Sequence, residues 1–212
     1  MYTPRILIFG LSLIATVLAA PQSTHPHPHD QVDINLTEKF PFISTLPLDE
    51  QPIRLPLPEP DMTPDIRMII DIESRTPLGL GPWGSRNWIK FSGGRWASSW
   101  GNGVVLQGGQ DNQLILDDLS VNFHATYVMK TNDTDPAYIT VTTTGWRTGK
   151  KEILEALNDP EKAKGILPSW YKFRAVVSME SGDVRYKHLN TKMWVGTGGK
   201  WGRKVVVDGY QL

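Results

Sequence analysis

The chain has 212 residues, 22 Lys+Arg against 22 Asp+Glu, and no Cys. That length supports one domain with a sizeable core. The balanced charge offers no electrostatic footprint for nucleic acid and no basic patch for an anionic membrane. The missing cysteines exclude thiol nucleophiles, thiolate metal sites and disulfides, so an exported fold must close by hydrogen bonding and packing.

In chain order, Arg5 precedes an apolar run over residues 6–18, and Ala19 and Ala20 follow it. A basic start, an apolar stretch short for a bilayer and a small-residue exit read as a signal peptide over residues 1–19, with an uncleaved anchor as the alternative. This reading predicts a secreted or secretory-pathway protein whose contact with membrane is through that segment alone. Its removal takes away one charge, Arg5, and leaves the balance near zero. Residues 20–62 form a Pro/His-rich lead. His25, His27 and His29 alternate with proline, and the remainder reads as an extended wrap rather than a regular element. The sequons at Asn35 and Asn132 are candidate N-glycosylation sites, Asn132 lying in a turn cluster.

Residues 63–212 carry period-two patterning. Ile66, Met68, Ile70 and Ile72 share one face; so do Val121, Phe123, Ala125, Tyr127 and Met129, and Tyr171, Phe173, Ala175, Val177 and Met179. Residues 137–144 and 204–212 are further β-rich runs, and Gly, Asn or Asp punctuates the junctions. One helix is predicted near residues 149–165, with Ile153, Leu154 and Leu157 on one face and Pro160 ending the run, lying over a barrel end. The expectation is an all-β fold, a single lipocalin-like antiparallel β-barrel with one short helix.

The segment GGRWASSWGNGVVLQGGQD, residues 93–111, sets two glycine pairs around a Trp-rich strand and ends on a carboxylate. With YKFRAVVSMESGDVRYKHLN (171–190) and VVVDGYQL (205–212), it resembles the domain-of-unknown-function family 3237 from about Ile66 to Leu212. The resemblance carries Arg86, Gly93, Gly94, Gly108, Gly109, Asp111, Tyr127, Phe173, Arg174, Glu180, Tyr186, Leu189 and Asn190. It implies a compact β-barrel. It also implies, for fungal members with a signal segment, cofactor-free ring closure in polyketide or terpenoid metabolism, such as addition of a phenol oxygen across an alkene.

On that reading Asp111 is the proton donor, and Arg86 or Arg174 orients the oxygen. Trp88, Trp96, Trp100, Tyr127, Tyr171 and Phe173 form the ligand wall, the tryptophans near Asp111 raising its pKa. Other readings stand beside these. Asp111 suits an Asp turn, Arg86 suits packing on Trp83 and Trp88, and the face of Lys172, Arg174, Ser178 and Glu180 suits either solvent or a polar cavity. His124 is expected on a solvated strand face and His188 in a turn. No metal site or cofactor is called for. The expected partner is a small aromatic or prenylated substrate, and homo-oligomer formation stays open. A non-catalytic carrier of hydrophobic small molecules and a carbohydrate-binding module are the rival functions.

Overall fold

The alternating segments become nine strands in the computed structural model, which describes residues 40–41 and 57–212. They are β1 (Thr63–Gly81), β2 (Gly84–Ser98), β3 (Gly101–Val105), β4 (Gln110–Ile115), β5 (Val121–Thr131), β6 (Tyr138–Gly149), β7 (Tyr171–Glu180), β8 (Trp194–Trp201) and β9 (Lys204–Gln211). All pair antiparallel in the order β1-β9-β8-β7-β6-β5-β3-β2-β4, with β1–β2 and β5–β4 pairings as well. β3 and β4 both run between β2 and β5, at different heights. They are two halves of one barrel position, so the sheet is a closed eight-stranded up-and-down barrel. Closure is how a chain without disulfides leaves no sheet edge unpaired. The predicted signal segment, the His-Pro lead and Asn35 lie outside the described residues.

The core is the inward set of this alternation. Val121, Phe123, Ala125, Tyr127 and Met129 of β5 face Tyr171, Phe173, Ala175, Val177 and Met179 of β7, and all are buried. Paired bulges shift the β1–β2 register between Asp71 and Ile72 and between Ile72 and Ser74, opposite Gly93 and Gly94. Gly94 is required there: its φ is +155°, and an added Cβ would overlap the Ile69 carbonyl. Beyond the bulges, β1 pairs with β2 but no longer with β9, while β2 stays paired with β4, so the end of the β1–β2 hairpin forms an arm at this barrel end whose β1 edge has no strand partner among the described residues.

The two barrel ends differ. At one, Asp65 accepts hydrogen bonds from Ser99 Oγ, Trp100 Nε1 at 3.0 Å and Trp194 Nε1 at 2.8 Å, tying three chain segments together. Trp96 and Trp100 pack at 5.0 Å, and Tyr186 and His188 meet Trp100 edge-on. The other end carries the β1–β2 arm and the predicted helix. That helix is in fact two, α1 (Lys151–Ala156) and α2 (Pro160–Ala163). Pro160 both halts the first and opens the second, with Asp159 capping the Glu161 and Lys162 amides at 2.8 and 3.3 Å. Leu154 and Leu157 plug into the core, and the joint leaves Asn158 at the mouth.

Candidate active site

Two adjoining spaces occupy the mouth half of the barrel. An inner cavity of about 70 Å³ lies within the strands, walled by Phe91, Phe123, Tyr127, Phe173, Ile70 and Val207. A more open space of about 340 Å³ lies above it, between the arm, the β4–β5 turn and Asn158. Arg75, Val121, Arg147 and Asn158 line both, so the two spaces lie against each other.

The inner cavity is apolar except for a small polar group. Asp111, on β4, is 8% exposed and points inward. Its Oδ2 accepts from Gln113 Nε2 at 2.6 Å and its Oδ1 from the His124 amide at 3.1 Å. Burial pushes its carboxyl above the ordinary carboxylate range, and the two hydrogen bonds and the Arg147 charge oppose that without cancelling it. Arg147 reaches the same space from β6, its Nε buried without a hydrogen-bond partner. Burial works against its charge, yet a guanidinium stays protonated at neutral pH. Lys200, from β8, donates from Nζ to the Leu157 carbonyl at 2.6 Å. Burial, then the like charges of Arg147, Arg75 and Arg203, bring its pKa down to about 8. Deeper in, Tyr127 Oη donates to Met68 Sδ at 3.1 Å and lies 3.2 Å from Thr143 Oγ1; burial holds its pKa at about 12, so it remains a phenol.

The constellation is therefore a buried carboxyl, an arginine and a lysine lining one cavity with aromatic walls. A buried carboxyl with a raised pKa keeps its proton to higher pH than an exposed one, and cations lining the same cavity can stabilise an oxygen that gains negative charge.

Several residues anticipated from sequence stand elsewhere. Asp111, Tyr127 and Phe173 line the cavity. Arg86 lines the outer space, away from Asp111, and has no cation–π contact among the described residues. Arg174 does not enter the site. It lies on the outer face of β7 with Lys172, Ser178 and Glu180, all exposed, and its Nη1 donates to Thr197 Oγ1 at 3.0 Å. Parity decides this, because Tyr171 and Phe173 take the inward positions. Tyr171 is buried at the rim, where its Oη accepts from the Lys200 amide at 2.8 Å, so it braces Lys200 rather than the cavity wall. Trp88 faces outward, and Trp96 and Trp100 sit at the sealed end, so phenylalanines and aliphatics, not tryptophans, surround Asp111. His124 and His188 are exposed, the first on a strand face and the second, expected in a turn, in the 3₁₀ helix Lys187–Thr191, and Asn132 is exposed with its Nδ2 on Asn102 Oδ1 at 2.8 Å. Sequence reasoning missed Arg147, Lys200, Gln113, Arg75 and Asn158. A strict period-two count through β6 would have flagged Arg147, which shares parity with Ile139, Val141 and Thr143.

Solved structures with this barrel come from several organisms. A conserved protein of unknown function from Rhodopseudomonas palustris is 26% identical with a TM-score of 0.65, covering 73% of this chain and 98% of that one. A beta-barrel like protein from Acinetobacter baumannii is 26% identical with a TM-score of 0.61, at the same coverage. An enzyme from Penicillium herquei shares the fold at 16% identity and a TM-score of 0.52. In sequence, a UPF0311 protein of R. palustris is 28% identical over 142 residues, 67% of this chain and 88% of the relative. The family model for a protein of unknown function, DUF3237, matches residues 60–212, the whole barrel, and the chain belongs to the DUF3237 family.

Proposed function

We propose that the barrel is a cofactor-independent ring-closing catalyst acting on a small aromatic metabolite of the polyketide type, adding a phenol oxygen across an alkene to form a cyclic ether. The observation that carries this reading is the buried Asp111 carboxyl, its pKa raised, sharing a largely apolar cavity with Arg147 and Lys200 and with the polar side chains of Arg75, Gln113, Thr143 and Asn158.

The step closes without a co-reactant. The Asp111 carboxyl gives its proton to one alkene carbon, and the positive charge develops on the other. The phenol oxygen bonds to that carbon and its proton returns to the Asp111 carboxylate, so the product is an isomer of the substrate. Arg147 and Lys200 hold the phenol oxygen and favour its partial negative charge. The walls of Phe91, Phe123 and Phe173, the last two stacked at 4.6 Å, exclude water that would capture the cation, and their faces attract it. Arg174 has no part in this, and Arg86 acts at the entrance. The likeness to the Penicillium herquei enzyme extends to the fold alone. Export through the secretory pathway belongs to the same reading and is supported by the apolar run at residues 6–18 and the exposed Asn132 sequon.

The test is incubation with an ortho-prenylated phenol, followed by chromatography for a product of unchanged mass. Turnover that drops at least about 100-fold in Asp111→Asn supports the assignment. Tight binding without a product, unaffected by Asp111→Asn, points instead to the carrier.

A further inference from the structure

Among the described residues, several cations elsewhere on the barrel meet carboxylates, although others, Arg174 included, do not. Arg67 pairs with Asp208 at 2.6 Å, Lys90 with Glu73 at 2.9 Å, Arg185 with Asp183 at 2.7 Å, and Lys204 with Asp71. The mouth breaks this pattern. Arg75, Arg86 and Arg147 line the outer space, and no Asp or Glu does. Arg75 is held by neutral amides alone: its Nη1 donates to Asn158 Oδ1 at 3.0 Å, and its Nε to the Asn87 Oδ1 at 3.1 Å in the orientation that satisfies both ends of that amide. The Arg147 Nε is buried with no partner. The Arg86 guanidinium makes no side-chain hydrogen bond or ion pair among the described residues, and Asp111 is the one carboxylate in the cavity below. Guanidinium groups gathered in a concave, partly dry site without a counter-ion are costly unless an anion completes them. Their planar forks match a carboxylate's two oxygens.

We infer that the mouth is a carboxylate-binding subsite, and that the ligand of this barrel is an aromatic acid whose carboxylate seats among Arg75, Arg86 and Arg147 while its ring enters the inner cavity. This rests on reading the barrel as a site for a small aromatic substrate. The sizes agree with that division. The inner cavity of about 70 Å³ admits little beyond a ring, and the outer space of about 340 Å³ takes the rest. Leu80, Ile115 and Leu119 share the outer walls with the arginines, a lining that suits a singly charged carboxylate on an apolar body better than the more strongly hydrated phosphate. Arg147, common to both spaces, is the hinge of recognition between charge and ring.

The experiment is calorimetric titration of the full chain with 4-hydroxybenzoate, its neutral isostere 4-hydroxybenzamide, and phenyl phosphate. The acid binds at least tenfold tighter than the amide and weakens as salt rises. Arg86→Gln, at a half-exposed position with little burden on folding, reduces that preference severalfold, and Arg86→Gln with Arg147→Gln abolishes it. Asp111→Asn retains it. Equal affinity for acid and amide, or a preference that survives the double arginine change, overturns the inference, as does tighter binding of phenyl phosphate than of the acid. Failure of the catalytic reading looks different: the acid preference is present, yet no alkenyl phenol, with or without a carboxylate, is converted. Conversion of a neutral alkenyl phenol with no acid preference leaves catalysis standing and removes the subsite.

Discussion

Burial raises the Asp111 pKa and, with the neighbouring arginine charges, lowers that of Lys200, and both shifts have consequences that can be measured. Asp111 is held protonated to higher pH in the folded chain than in the unfolded one. Between those two pKa values the native state binds more protons, so stability falls as pH rises through that window. Asp111→Asn removes this fall, and thermal melts of both proteins against pH should converge at the acid end and separate above it. A wild-type chain that gains stability over that window relative to the variant would mean a carboxylate stabilised as an anion. Lys200 behaves in the opposite sense. With a pKa brought to about 8 from 10.5, it binds fewer protons in the native state between these values, so stability rises with pH there, a rise that Lys200→Met should lack. If its charge holds the reacting oxygen, kcat/KM declines as pH passes about 8, and Lys200→Arg moves that decline to higher pH. At this scale the sequence was partly legible. Asp111 stood out because it follows the Gly108–Gly109 pair, one residue on, at the end of the segment that carries the family resemblance. Arg147 did not, because the preceding threonines of β6 erase the contrast between its faces. Arg174 was misplaced because a resemblance named it while its own alternation already set it outside.

At the scale of elements, the strands that read cleanly are those whose inward positions are all apolar. β5 and β7 alternate without exception, and their registers follow. The strands that build the polar part of the site depart from that pattern. β1 changes parity across its two bulges, so Ile70 before them and Ile72 between them line the inner cavity and Arg75 faces the mouth after them. β8 sets glycines and Lys200 where hydrophobic residues would announce a core face. A one-residue slip exchanges the two faces of a strand, and no composition count detects it. The bulge gives a sharp prediction. Gly94→Ala forces a Cβ onto the Ile69 carbonyl in a backbone conformation that favours glycine, and should destabilise the fold by about 2–4 kcal/mol in urea unfolding. Gly108 is the comparison. Its φ is +100°, but a Cβ there meets nothing within 4 Å, so Gly108→Asn should cost only about 1 kcal/mol. Equal losses at both positions would mean that the close approach at Gly94 is not what the glycine is for.

For the molecule as a whole, closure of the sheet ranks the two ends of the chain. Among the described residues, every member of the buried core lies between Ile66 and Val207, and the first strand opens at Thr63. The fragment Glu59–Leu212 holds all of these groups and all of the strand pairings, so expressed alone it should show a single cooperative thermal transition. The last nine residues are not dispensable in this way. β9 is the strand through which β1 meets β8, with Val206 opposite both Ile69 and Gly199. Val207, 2% exposed, closes the core between them, and the Arg67–Asp208 and Lys204–Asp71 pairs lie along the same seam. Those exposed pairs contribute little, about 0–1 kcal/mol each. The larger loss on deletion is the opening of two strand edges and of the cavity wall formed by Val205 and Val207. A chain ending at Arg203 should therefore lose its cooperative transition in calorimetry and elute as aggregates, although more than nine-tenths of the sequence remains. A soluble, cooperatively melting 1–203 chain would show that the barrel does not depend on its closing strand, and the Asp111 cavity, bounded on that side by β9, would then need another wall.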